Sequence, residues 1–105
     1  MDPHALELLI LNAACDDWEN LVDIRDDVQS APQGGPVAPA DLEATLLHLV
    51  RAGHLAAHEF RGGTFVPLPP SAVAADAIPR LWYFTTLAGR ALLDAGEAFF
   101  DTPSR

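Results

Sequence analysis

Four histidines, two pairs of adjacent aspartates and a single cysteine are the groups in this 105-residue chain best equipped for chemistry. His54 and His58 lie on one side of an expected strand, with Glu59 adjacent and His48 one helix earlier. These are residue types that ligate zinc and related ions. Their spacing matches no zinc pattern, and histidines gathered around a surface turn account for them, so no metal site is assigned. Asp16-Asp17 and Asp26-Asp27 supply the paired carboxylates that general acid–base catalysis uses. Adjacent aspartates also suit helix caps and solvated helix faces, and no catalytic residue is assigned. Cys15 has no convincing base partner and fits a small buried thiol. Gly34-Gly35 and Gly62-Gly63 lack the lysine and the following helix of a phosphate loop. No cofactor is implied, and the chain is not expected to be an enzyme.

Charge is more informative. Residues 1–50 hold ten acids and one arginine, a net of −9. Residues 51–105 hold five of each sign and are neutral, so the whole chain's −9 sits in its first half. There is no lysine; all six basic residues are arginines, which with the many alanines fits a GC-rich bacterial genome. Half the residues are hydrophobic, enough for one folded domain over 1–105 and too few in total for two cores. No apolar run approaches the ~20 residues of a membrane span. Met1-Asp2-Pro3-His4 lacks the basic start of a secretion signal. A lone cysteine forms no internal disulfide, and the expectation is a cytoplasmic protein.

The elements that must position these groups follow from periodicity. Leu6, Leu9, Ile10 and Ala13 give a first helix over His4–Cys15, capped by Asp2 with Pro3 at its start. Leu8 and Leu11 add a second apolar side. Leu21, Ile24 and Val28 give a second helix from about Trp18 to Gln29, capped by Asp16 or Asp17 and carrying Asp23, Asp26 and Asp27 outward. The proline- and glycine-rich stretch 30–39 is a surface connection. Leu42, Leu46, Leu49 and Val50 stripe a third helix that Gly53 ends. Leu55–Arg61 is a strand, and Arg61-Gly62-Gly63-Thr64 a tight hairpin turn. Thr64-Phe65-Val66 returns, with Pro67 ending clean pairing. Residues 71–79 suit a loop with a short helical turn. Leu81–Thr85 is a strand, and Thr86 caps a last helix over Leu87–Phe100, ended by Asp101-Thr102-Pro103.

Two segments carry a family resemblance. Asp41-Leu-Glu-Ala-Thr-Leu-Leu-His-Leu-Val-Arg-Ala-Gly-His-Leu55 resembles the third helix of bacterial winged-helix regulators, where a leucine-spaced helix ends in glycine and a leucine opens the wing. Tyr83-Phe-Thr-Thr-Leu-Ala-Gly-Arg-Ala-Leu-Leu93 resembles their Tyr-x-x-Thr-x-x-Gly-x-x-Leu junction between the last wing strand and the closing helix. The layout is similar to PadR-like and MarR-like transcriptional regulators. The resemblance implies a mostly helical α+β winged helix: a three-helix bundle, a β-hairpin wing and a C-terminal helix. It also implies DNA binding through the third helix and wing, with Thr45, His48, Arg51, Arg61 and Arg80 as contact candidates. A homodimer is implied too, built on the first and last helices, with Leu8, Leu11, Phe99 and Phe100 as interface candidates.

The charge argues against part of this. DNA-binding members carry basic and polar residues on the third helix. Here the outward positions are Asp41, Glu43, Ala44, Thr45, His48 and Arg51, and the second helix adds three aspartates. Phosphate contacts need arginine, lysine or helix N-termini, and a surface this acidic repels the backbone. The alternative function is an acidic winged-helix module that binds a protein partner without DNA. Trp82, Tyr83 and Phe84 are accounted for by a wing strand packed on helices, stacking on bases or a ligand being the other reading.

Overall fold

The computed structural model describes residues 1–101. The chain runs α1 (Pro3–Ala13), β1 (Glu19–Asn20), α2 (Leu21–Ser30), α3 (Pro39–Arg51), β2 (Leu55–Arg61), β3 (Thr64–Leu68), β4 (Trp82–Thr85), α4 (Leu87–Ala95) and α5 (Glu97–Asp101). Two short 3₁₀ segments, Pro70–Ala72 and Ala75–Arg80, join β3 to β4. This is an α+β arrangement with one antiparallel sheet in the order β1-β4-β2-β3. No helix among the described residues is long and apolar enough to cross a membrane.

The helix starts follow local chemistry. The Asp2 carboxylate accepts from the Ala5 N–H at 3.0 Å, and Pro3 occupies the first turn, where its missing N–H costs nothing. The second helix departs from expectation. Its cap is Asn20, whose side chain accepts from the Asp23 N–H at 2.9 Å, and not Asp16 or Asp17. The residues before it pair instead: Glu19 and Asn20 form β1 against Tyr83 and Trp82. α3 ends as expected at Gly53, with φ of 81°. The Gly53 N–H donates to the Val50 carbonyl and the His54 N–H to that of Leu49, a paired closure that satisfies carbonyls the helix leaves free.

The hairpin turn matches the sequence expectation. Arg61 pairs with Thr64, and Gly62 and Gly63 take φ of 60° and 81°, the two positive values a tight hairpin needs. Pairing continues beyond Pro67 to Leu68, however. β3 is the sheet's edge strand, so a proline without an N–H is tolerated there.

The core lies between the helices and one face of the sheet. Ile10, Leu11, Ile24, Val28, Leu46, Leu49, Ile78 and Tyr83 are fully buried within it. Burial pushes the Tyr83 phenol well above its usual range, so its hydroxyl stays a donor, to the Ile78 carbonyl at 2.6 Å. The closing helix is not continuous: Gly96 caps α4 and α5 begins after it. A Cβ at Gly96 would stand 2.7 Å from the Leu8 side chain, so the break seats the chain on α1. Thr102 and Pro103, expected to end this helix, lie outside the described residues.

Candidate interaction surfaces

The outward stripe of α3 is Asp41, Ala44, His48 and Arg51, all exposed; Glu43 and Thr45 are half-buried. The Thr45 hydroxyl donates to the Asp41 carbonyl of its own helix at 2.8 Å. His48 Nε2 stands 3.6 Å from a Glu7 carboxylate oxygen on α1. Arg51 donates to the Val73 carbonyl at 3.5 Å, and Arg61 is ion-paired with Glu59. Arg80 is exposed and lines a cleft of about 360 Å³ shared with Glu59 and Asp76. Four of the five DNA-contact candidates thus bond or face another group of the chain, and carboxylates stand beside His48 and Arg61. On α2 the exposed charged residues are Asp23, Asp26 and Asp27, all negative.

Two of the four interface candidates lie inside the chain. Leu8 and Leu11 are 1% and 0% exposed within this single chain, so they give α1 no free face. Gly96 covers Leu8, and the carbonyl of Leu11 accepts from the Thr85 hydroxyl at 2.8 Å. Phe99 and Phe100 pack edge to face, 5.1 Å between centroids, half-buried against the same core. The second apolar side of the first helix completes the chain's own interior.

The histidines also separate. His54 precedes β2, and His58 is inside it and only 8% exposed, not on a surface turn. Among the described residues no three histidine, cysteine or carboxylate side chains converge as metal ligands. Cys15 is buried, its thiol donating to the Asn12 carbonyl, and burial together with the negative Asp16 raises its pKa.

What sequence reasoning missed is the outer face of the sheet. Of Trp82, Tyr83 and Phe84, only Tyr83 enters the core; strand alternation sends Trp82 and Phe84 the other way. The register brings Ala56, His58 and Phe60 of β2 beside Phe84, Trp82 and Phe65 on that same face. Trp18, from the loop before β1, lies over it. Its ring stacks on Phe65 at 4.5 Å and 10°, meets His58 edge-on at 4.1 Å and tilts toward Phe84 at 5.3 Å. Phe65 in turn meets Phe60 at 5.2 Å and Trp82 at 5.6 Å. None of these rings belongs to the main core cluster, and Phe60 is 57% exposed. The alternation of β4 is a usable signal, but nothing in the sequence indicates which side the helices cover.

Two acids stand at the edge of this face: Asp16 and Asp17 precede Trp18 and are exposed, whereas Glu19, which follows it, pairs with Tyr83 and so belongs to the opposite, helix-side face. Burial and then the charges of Asp27, Asp23 and Asp17 hold the Glu19 carboxyl above its ordinary pKa. A raised carboxyl pKa means the folded state binds the proton more tightly. Its stabilising contribution is full below the ordinary glutamate range and lost as pH rises through the raised value. Glu19→Gln is therefore expected to raise the melting temperature at neutral pH by a few degrees at most, with the difference closing in acid. Thermal scans at both pH values check this; a lower melting temperature at neutral pH would mean the acids there do not repel one another.

Comparison with models of protein families, with curated proteins and with solved structures finds no match to this chain.

Proposed function

We propose that this chain is a winged-helix module that binds a basic protein partner rather than DNA. The observation that carries the reading is the charge of the helical surface a winged helix would turn toward DNA. The exposed charged residues of α2 are three aspartates, and the α3 stripe opens on Asp41 and has no surplus of positive charge. Non-specific DNA affinity comes almost entirely from neutralising phosphates, and each contact needs a free cation. Among the described residues four arginines are exposed, Arg51, Arg61, Arg80 and Arg90; they are scattered over separate elements, Arg61 is already paired with Glu59 and Arg90 donates to the Cys15 carbonyl, so they supply few. The same surface attracts a polycation and speeds its approach. The order of elements, the glycine-closed third helix and the diglycine hairpin support the winged-helix assignment.

The experiment sets two ligands against each other. A duplex of ~20 base pairs at ~50 mM salt, the condition most favourable to phosphate contacts, is expected to give no mobility shift. Immobilised polylysine is expected to retain the protein at the same ionic strength and release it as salt rises. Asp23→Asn, Asp26→Asn and Asp27→Asn combined are expected to abolish retention. A duplex shift that disappears when Arg51, Arg61 and Arg80 are all changed to alanine would overturn the reading in favour of a DNA-binding regulator.

A further inference from the structure

We propose that the aromatic outer face of the sheet docks an arginine-bearing segment of a partner protein, guanidinium groups stacking on the rings and pairing with the carboxylates around Trp18. The inference rests on the protein-binding reading above and gives it a surface and a partner chemistry.

An antiparallel sheet with one solvated face ordinarily alternates apolar inward with polar outward. Here the outward positions of β2, β3 and β4 from Ala56 to Phe84 include no charged side chain; they are rings, a proline, an alanine and His58. Trp18 covers part of this face, and Phe65, Trp82 and Phe84 stay half-buried with Phe60 exposed, apolar surface of the kind at which something binds. His58 adds an independent sign. It is 8% exposed, and its Nδ1 makes no hydrogen bond of normal geometry, so the face carries a buried polar group that internal packing leaves unsatisfied. Burial holds its imidazole below the ordinary pKa, the Ala56 backbone opposing in part, so it does not supply positive charge to the patch.

Charge selects the occupant. Ring faces are electron-rich and attract cations. The exposed Asp16 and Asp17 beside Trp18 add formal negative charge, the Asp17 carboxylate accepting from the Trp18 N–H at 2.8 Å. Of the nearby arginines, Arg61 is already paired with Glu59, and Arg90 donates to the Cys15 carbonyl at 2.6 Å. A single-stranded nucleic acid would gain stacking but meet the Asp16 and Asp17 carboxylates with its phosphates, and among the described residues the outward strand positions supply no cation. A lysine brings charge without a plane to stack. A guanidinium brings both, together with a fork of donors that fits a carboxylate.

Both tryptophans of the protein, Trp18 and Trp82, are on this face, so intrinsic fluorescence reports on it directly. The probes are blocked octapeptides of alternating Arg-Gly and Lys-Gly, and oligothymidylate. Arg-Gly is expected to give a saturable, salt-sensitive change, and Lys-Gly to bind about threefold or more weakly. Oligothymidylate is expected to give none. Phe60→Ala, at an exposed position that leaves the core alone, is expected to weaken Arg-Gly by about fivefold, and Asp17→Asn by about threefold. Trp18→Ala should abolish binding, read through Trp82; Phe60→Ala decides the matter if that variant does not fold. Equal affinity for the two peptides, or binding indifferent to Phe60→Ala, overturns the inference. So does saturable oligothymidylate binding, or a fluorescence change on simple dilution that identifies a second copy as the occupant. If neither peptide binds while polylysine still retains the protein, this inference falls alone; loss of both results removes the protein-binding reading with it.

Discussion

Leu46→Ala is expected to lower the unfolding free energy by ~2–5 kcal/mol, which places it among the most damaging single changes available in this chain. Leu46 is 0% exposed and sits midway along α3 inside the main core cluster, so truncation removes buried methyl groups and leaves a void its neighbours fill only in part. A domain of this size has ~5–15 kcal/mol in total, so the variant loses a large fraction and melts at least several degrees lower. Thr45→Ala, one residue away, is the control. Thr45 is half-buried, and its hydroxyl bonds only to the Asp41 carbonyl of its own helix, so its loss is expected to stay within ~0.5 kcal/mol. Urea titrations of both variants check the pair. Comparable effects would mean that the leucine stripe does not face the interior.

The burial of Leu46 is legible from periodicity alone. The leucines of α3 recur every three or four residues, and a helix has no other way to hide them. The diglycine hairpin is legible for a similar reason. Two consecutive positive φ values leave few residue types, and the sequence supplies two glycines where the strands must reverse. The Asp2 and Thr86 caps are legible because each precedes an apolar repeat at the spacing its hydrogen bond requires.

The sheet's faces are not legible in the same way. Strand alternation says that Trp82 and Phe84 oppose Tyr83; it does not say which set meets the helices. Hydrophobicity offers no help when both sides are aromatic. Trp18 eludes the sequence for a related reason. Its neighbours Asp16 and Asp17 look like helix caps, yet the cap is Asn20, and the residues between pair with β4 over a length too short to leave a pattern. Both ambiguities fall on one surface. An aromatic strand that looks like core, and an aromatic loop residue that looks like the start of a helix, together conceal the face where Trp18 stacks on Phe65. Leu8 and Leu11 mislead in the opposite direction. A helix apolar on two sides suggests a partner, but α4 and the Gly96 break supply the second cover from within the chain.

Gly89→Ala tests how tightly that cover is fixed, because two principles give it opposite signs. Gly89 is in the first turn of α4, and on helix propensity alone alanine there would stabilise by ~0.5–1 kcal/mol. Packing says otherwise. A Cβ built at Gly89 stands 2.0 Å from the His54 carbonyl oxygen and 2.8 Å from the Thr85 methyl. The carbonyl has little room to retreat, because it accepts from the Thr86 N–H at 3.1 Å. Thr86 is tied in turn: its hydroxyl donates to the Gly53 carbonyl at 2.7 Å and accepts from the Gly89 N–H at 3.0 Å. Relieving the contact means separating α4 from the residues that close α3, and one methyl cannot be absorbed by a rotamer change as it could against a flexible side chain. The overpacking cost is ~1–3 kcal/mol and belongs at or beyond its upper end here, so it outweighs the propensity gain. The expected result is a urea midpoint well below wild type with an unchanged slope. Ala91→Gly, on the exposed side of the same helix, should lose only the ~1 kcal/mol that propensity assigns. A Gly89→Ala variant more stable than wild type would show that α4 does not approach the end of α3 this closely. The glycine of the junction would then lose its physical reason for being one.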